Sequence, residues 1–364
     1  MEIANEELTP EEIIQTALEF SLCPLDSEEA KVCLSKFKFL LKTVKGPRFE
    51  NLNERERAEE ILTFLYEGVL FKYVEHSTKM NTTLFTGEYN CVTASLLFMS
   101  LARAAGIRVK GQETKIHAFC TAYIDGKNYD VETTNPFGFN PGERKEVART
   151  ENSRKYTYVP KKYYAGRHEV SDRAFATLTG KNLAADMNDT EDYDSAIPLE
   201  ISRMRFLEAT NDDEAKTARN DLDVLVGNYA FTLNKKKKSE EAIEYLETVT
   251  QKFGKSTELQ RIYDNSVYNS CVDLLNSDKE SEALDLFEEK KANMSSQMQY
   301  SVSKMITNQI QKNHETRAHN SVVPLFNSGK YSEAKKILEE ALKENPTSNL
   351  LRKDLNMVNR ALGS

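Results

Sequence analysis

Residues 92–105 place apolar or small side chains on nearly every face of a predicted helix, with Val92, Ala94, Leu96, Leu97, Phe98, Met99, Leu101 and Ala102 leaving no polar stripe. A helix apolar all round has to be surrounded by protein, so this segment is the axis of a core. Gly106 supplies its stop. Before it, residues 76–90 form a polar stretch with Asn81-Thr82-Thr83 and Thr86-Gly87, read as a loop that delivers the chain to Asn90-Cys91. Cys91 is thereby set at a helix N-terminus, where unpaired backbone N–H groups and the helix dipole favour a thiolate.

After Gly106 the hydrophobic period changes from that of a helix to two. Ile107 and Val109 alternate with Arg108 and Lys110, and His117, Phe119, Thr121 and Tyr123 alternate with Ala118, Cys120, Ala122 and Ile124. Asp125-Gly126 then separates this run from residues 129–134, a strong hairpin signal. A two-residue turn at Asp125-Gly126 makes paired positions sum to 251, with Phe119 opposite Glu132, Thr121 opposite Asp130 and His117 opposite Thr134. Glu132 is the diagonal neighbour of His117 on the same face, and Asp130 lies two positions further away. The order of thiol, imidazole and carboxylate is that of a nucleophile, its base and an orienting acid, with Glu132 favoured and Asp130 as the reserve. Cys120 faces the other way and is expected to pack on the central helix. Residues 135–142 end the sheet in turns.

The remaining cysteines, Cys23, Cys33 and Cys271, lie in an interhelix turn or on helices and read as structural. Five scattered cysteines without a CxxC pair suggest neither a zinc site nor a disulfide framework, which suits a reducing compartment. His314 and His319 are five residues apart and diverge around a helix, so they do not form the i, i+4 pair of a zinc protease. His76 and His168 are isolated. No phosphate-cradling glycine motif is present, and the turn at residues 138–142 lacks a following Lys-Ser or Lys-Thr. No metal or cofactor is implied. A net charge of −8, with one four-residue basic run at residues 235–238, argues against nucleic acid as a partner. No apolar run reaches the length of a membrane span, and the opening MEIANEELTPEE has no basic segment followed by an apolar one. The expected location is cytoplasmic, an export signal removed ahead of the first numbered residue aside.

The flanks read as helical. Thr9-Pro10-Glu11-Glu12 combines an N-cap, a proline at the first helical position and early acids. A second helix starts at Asp26 or Ser27 and stops before Gly46-Pro47. A third, from about Asn53, carries Ile61, Leu62, Phe64, Leu65, Val69, Leu70 and Tyr73. Beyond residue 143, a polar segment with Tyr156, Tyr158, Tyr163 and Tyr164 leads into a helical half with a weak internal repeat. Its fragments start at Tyr193, Ser239, Glu280 and Tyr331, and each opens a helix. Their alanines, Ala196, Ala242, Ala283 and Ala334, are 46, 41 and 51 residues apart. The last unit, residues 322–342 followed by Asn345-Pro346, resembles a tetratricopeptide repeat, although that family's period is about 34 residues. A chain of 364 residues with 29% charged side chains is expected to fold as two domains, residues 1–165 and 166–364.

Gly87-Glu88-Tyr89-Asn90-Cys91-Val92-Thr93-Ala94, Leu101-Ala102-Arg103-Ala104-Ala105-Gly106-Ile107, His117-Ala118-Phe119 and Asp130-Val131-Glu132-Thr133-Thr134-Asn135-Pro136 together resemble the transglutaminase-like cysteine hydrolase superfamily, in particular bacterial members joined to tetratricopeptide repeats. The chain departs from the common pattern in having Phe119 where Trp is frequent and Glu132 where Asp is usual. The resemblance implies an α+β, papain/transglutaminase-like domain, with N-terminal helices and a central helix packed on a small antiparallel sheet, followed by an all-α tetratricopeptide-like array. It also implies acyl transfer by Cys91 as nucleophile, His117 as base and Glu132 as orienting carboxylate, acting as a protease, amidase or transglutaminase. The Cys91 backbone N–H would stabilise the oxyanion, with Asn90 or Tyr89 as candidates for a second donor. The helical repeats would bind a protein or peptide substrate. The alternative is a scaffold that keeps the fold, binds protein and has lost turnover.

Overall fold

The computed structural model describes residues 7–141, 157 and 159–363. Tyr156, Tyr158 and Gly142 lie outside the described residues. Two compact units divide the chain, Met1–Leu225 and Val226–Ser364. No helix among the described residues is long and apolar enough to cross a membrane.

The first unit is mixed α+β. It opens with α1 (Pro10–Glu19), α2 (Glu28–Val44), the short α3 (Pro47–Glu50) and α4 (Glu54–Gly68). Thr9, Ser27 and Asn53 cap α1, α2 and α4 through their side chains. Helix α4 ends at Gly68, so Val69, Leu70 and Tyr73 are not helical as their apolar spacing suggests. Val69 and Leu70 are buried past the helix end, and Tyr73 lies on β1 (Lys72–Tyr73). The polar stretch expected as loop contains a further helix, α5 (Met80–Thr86). Its Met80, Thr83 and Leu84 are buried one turn apart, which is enough to hold seven residues in a helix.

Strand β2 (Glu88–Tyr89) pairs in parallel with β1, Tyr73 opposite Tyr89, and leads straight into α6 (Cys91–Ala104). Val92 through residue 102 are all buried. Helices α1, α2 and α4 pack on α6, as do strands β3 (Arg108–Glu113) and β4 (Ala118–Ile124). The four-stranded sheet runs β5-β4-β3-β6, with β5 at Lys127–Val131 and β6 at His168–Glu169. Asp125 and Gly126 both have positive φ, 49° and 72°, the two-residue turn whose twist suits a hairpin. Pairing runs from Ile124↔Lys127 to Cys120↔Val131 in the expected register.

The unit does not end near residue 165. Strand β6 pairs with the far edge of β3 and is followed by α7 (Asp172–Ala176), α8 (Leu178–Asp189), α9 (Tyr193–Ala209) and α10 (Ala215–Lys235), the last crossing the division. Asp172 shows why. Its carboxylate, almost out of solvent, pairs with Arg103 near the end of α6 and accepts the Leu8 N–H at 3.0 Å. A two-residue strand and a buried ion pair tie residues 168–172 to the core, and neither has a hydrophobic period to betray it.

The second unit is all helical: α11 (Ser239–Phe253), α12 (Thr257–Asn276), α13 (Glu280–Lys290), α14 (Ser296–Asn327), α15 (Tyr331–Glu344) and α16 (Asn349–Leu362). Successive helices pack on one another from α11 to α16, and α12 and α16 both touch α14. Tyr193, Ser239, Glu280 and Tyr331 each open a helix, and the alanine three residues into each is fully buried. A small side chain there lets a neighbouring helix approach closely, which accounts for the repeated residue type.

Candidate active site

Asn90 sets the position of Cys91. Its backbone is extended, and its Oδ1 accepts the N–H groups of Val92 and Thr93 at 3.0 and 3.1 Å. Thr93 Oγ1 returns the bond by accepting the Asn90 N–H at 3.2 Å, completing a capping box. Thr83 Oγ1 of α5 donates to Thr93 Oγ1 at 2.9 Å, so α5 buttresses this turn. Among the described residues, the Cys91 N–H has no hydrogen-bond partner. Cys91 is also the one cysteine of the five that is not buried. Burial pushes the thiols of the other four up, Cys271 to about 11 and Cys33 to about 12, which keeps them protonated. Cys120 donates to Ser95 O of α6 at 3.4 Å, on the side of the sheet expected for it.

His117 sits at the tip of the β3–β4 hairpin. Thr114 closes that tip by donating its N–H and Oγ1 to the His117 carbonyl at 2.8 and 3.1 Å. The imidazole Nε2–H donates to Glu132 Oε2 at 2.7 Å. With Nε2 engaged by Glu132, the nitrogen left for the Cys91 thiol is Nδ1, and Cys91 is among the groups that raise the imidazole's pKa. Phe119 stacks on the imidazole with centroids 6.1 Å apart, and Tyr164 meets it edge-on at 6.0 Å.

Glu132 lies one residue beyond the β5 ladder, where its N–H bonds to Gly138 O at 2.8 Å. A Cβ at Gly138 would stand 2.0 Å from Glu132 O, so only glycine closes this turn. Four donors hold the carboxylate. The Thr134 N–H and Oγ1 reach Oε1 at 3.0 and 2.7 Å, and the Tyr164 hydroxyl joins His117 on Oε2 at 2.7 Å. Burial alone would raise the carboxyl's pKa, but the His117 charge and these hydrogen bonds outweigh it and hold it below the ordinary value. For His117, burial pulls down, while the Glu132 charge, the hydrogen bond to Glu132 and the influence of Cys91 push up. The result is an imidazole held in its charged form well above the usual range.

His117 and Glu132 thus form a buried hydrogen-bonded pair, and Cys91 acts on the imidazole of that pair. Asp130 is not brought to the imidazole. It accepts from Thr121 Oγ1 at 3.1 Å and pairs with Arg167. The two side chains considered as second oxyanion donors are both committed elsewhere. Asn90 is buried, with its Oδ1 on the helix cap and one Nδ2 hydrogen on Glu75 O, and the buried Tyr89 hydroxyl bonds to that of Tyr66. Sequence reasoning missed Tyr164, which reaches the site from a single helical turn, Lys161–Tyr164.

The other histidines each lie against a carboxylate instead of forming a centre: His76 with Asp186, His168 with Glu214, His314 with Glu280 and His319 with Asp354. Among the described residues no group of His, Cys, Asp and Glu is arranged to hold a metal ion. Lys237 and Lys238 pair with Asp273 and Glu241 at the surface. No protein-family model matches the chain, and no curated protein matches it.

Proposed function

We propose that the first unit is a transglutaminase-like domain of papain-like architecture and that the chain is a thiol acyl-transfer enzyme acting on an amide or ester carbonyl. The observation that carries this reading is the buried hydrogen bond between His117 and Glu132, together with Cys91 at the N-terminus of α6, the one cysteine of the five that is not buried and one of the groups that act on the imidazole. Cys91 attacks as a thiolate whose proton rests on the His117 imidazolium, and Sγ bonds to the carbonyl carbon as the π pair moves to oxygen. On collapse the C–N or C–O bond breaks, and the leaving group takes the proton from the imidazolium. The thioester then passes to water, as in a protease or amidase, or to an amine, as in a transglutaminase, with His117 again accepting the proton. Glu132 holds the Nε2–H and offsets the imidazolium charge throughout. The cycle as written calls for no cofactor.

The helical half of the chain, similar to tetratricopeptide repeats, is proposed to hold a protein or peptide substrate. Helix starts at the repeated fragments and fully buried alanines support that assignment. Five free thiols suit work in the cytoplasm.

Iodoacetamide labelling at neutral pH tests the proposal. Cys91 should react well ahead of the other four cysteines, His117→Ala should slow it, and p-nitrophenyl acetate should leave an acyl group on Cys91. Equal labelling of all five, with no acyl-enzyme, would instead favour a scaffold that binds partners without turnover.

A further inference from the structure

The acyl-transfer reading leaves one requirement unmet. An oxyanion formed at Cys91 finds the Cys91 N–H, yet a single donor is a weak cradle for a full developing charge. The Tyr89 hydroxyl is spent and Asn90 is buried with both amide heavy atoms engaged, so a more accessible second donor is one that another element brings to Cys91.

Strand β1 does this. Its parallel pairing sets Tyr73 beside Tyr89, two residues ahead of the nucleophile, and the two rings meet edge-on with centroids 5.8 Å apart. The rings then part company. The Tyr89 hydroxyl runs inward to Tyr66, which in turn donates to Thr133 O at 3.0 Å. Tyr73 is only half-buried, and among the described residues its hydroxyl has no hydrogen-bond partner. Two bonds lock the end of β1 to the start of α6: the Val74 N–H to Tyr89 O at 2.9 Å and Asn90 Nδ2 to Glu75 O at 3.3 Å. The position of Tyr73 relative to Cys91 is therefore fixed before substrate arrives.

We propose that the Tyr73 hydroxyl is the second oxyanion donor, acting with the Cys91 backbone N–H on the carbonyl oxygen of the substrate. As the S–C bond forms and the π pair moves to oxygen, that oxygen accepts both hydrogen bonds. No proton leaves Tyr73, and the bonds relax when the carbonyl reforms. The phenol suits the task because it stays protonated. Burial raises its pKa, and the nearby charges of Cys91, Glu75 and Glu132 raise it further.

The inference rests on the acyl-transfer reading, and one experiment on the full chain separates them. Tyr73→Phe keeps the ring packed on Tyr89 and removes only the oxygen. For wild type and variant, two rates are compared: acylation of Cys91 by p-nitrophenyl acetate and alkylation of Cys91 by iodoacetamide. Acylation passes through a tetrahedral oxyanion and alkylation does not. Tyr73→Phe is expected to slow acylation by about 10²–10³-fold and leave alkylation unchanged, which also shows that the fold and the thiolate survive. Equal acylation rates would overturn the inference and leave the reading standing. An equal loss in both rates would also overturn it, by assigning Tyr73 to support of the thiolate. A wild-type protein that is alkylated but never acylated overturns the reading and takes the inference with it.

Discussion

Each end of α6 carries a buried ion pair, and the two are built to different ends. At the C-terminal end, Arg103 donates through Nε and Nη2 to Val109 O at 2.9 and 2.6 Å, and through Nη1 and Nη2 to Asp172. Every nitrogen of the guanidinium is engaged, and the contact clamps α7 to the core. At the N-terminal end, His117 and Glu132 are as deeply placed, yet the pair is associated with Cys91, which is not buried. Beside it, among the described residues, the Cys91 N–H and the Tyr73 hydroxyl are unpartnered. Closed networks serve stability, whereas one left open at a solvent-reached nucleophile has capacity for a reacting group.

Removing one member at each end should give opposite results. Asp172→Ala leaves a buried guanidinium without its counter-charge and is expected to cost about 3–5 kcal/mol, read as a lower urea midpoint. Cys91→Ala is expected to leave the urea midpoint near that of wild type and to abolish acylation by p-nitrophenyl acetate. An Asp172→Ala midpoint equal to wild type would erase the contrast.

Glu132→Gln sharpens the comparison by changing charge at nearly constant shape. Loss of the orienting carboxylate is expected to slow acylation by up to about 10⁴-fold. The stability effect follows from the two shifts. His117 is raised above 6.5, so its contribution is full below that pH and fades as pH climbs through the folded value. Glu132 is lowered below 4.5, so its contribution is full above that pH and fades as pH falls through the folded value. The gap in urea midpoint between wild type and Glu132→Gln should therefore be widest between about pH 4.5 and 6.5 and shrink on both sides. A gap independent of pH would mean that the pair contributes by packing alone.

The parts of this arrangement that the sequence announces are those governed by local rules. An Asp-Gly turn sets the parity of a hairpin, and parity alone puts Cys120 on one face and His117 on the other. The same register favours Glu132 over Asp130, although Glu132 itself lies just beyond the ladder. What escapes is pairing between distant short segments. Strands β1, β2 and β6 have two residues each, too few to show a period, so neither the placement of Tyr73 nor the attachment of residues 168–172 to the first unit can be read in advance. Val69 and Leu70 mislead for a related reason. They are apolar because they are buried, and burial does not distinguish a helix from the chain that leaves it.

Tyr164 offers the finest test of the contrast, because it is the one donor to Glu132 that comes from a distant part of the chain. Tyr164→Phe keeps the edge-on contacts with His117 and Phe119 and deletes one of four hydrogen bonds to a buried carboxylate. A bond to a charged acceptor is worth about 1.5–3 kcal/mol, so a loss at the lower end of that range is expected in urea unfolding. With one donor gone, the folded Glu132 becomes easier to protonate. The acid limb of the stability profile should move to higher pH, while the alkaline limb, set by His117, moves little. Acylation should fall far less than in Glu132→Gln, since the Nε2–H contact remains. An acid limb that does not move would show the hydroxyl to be a packing element, and the N-terminal end of α6 would then depend on Thr134 and His117 alone to keep its carboxylate charged.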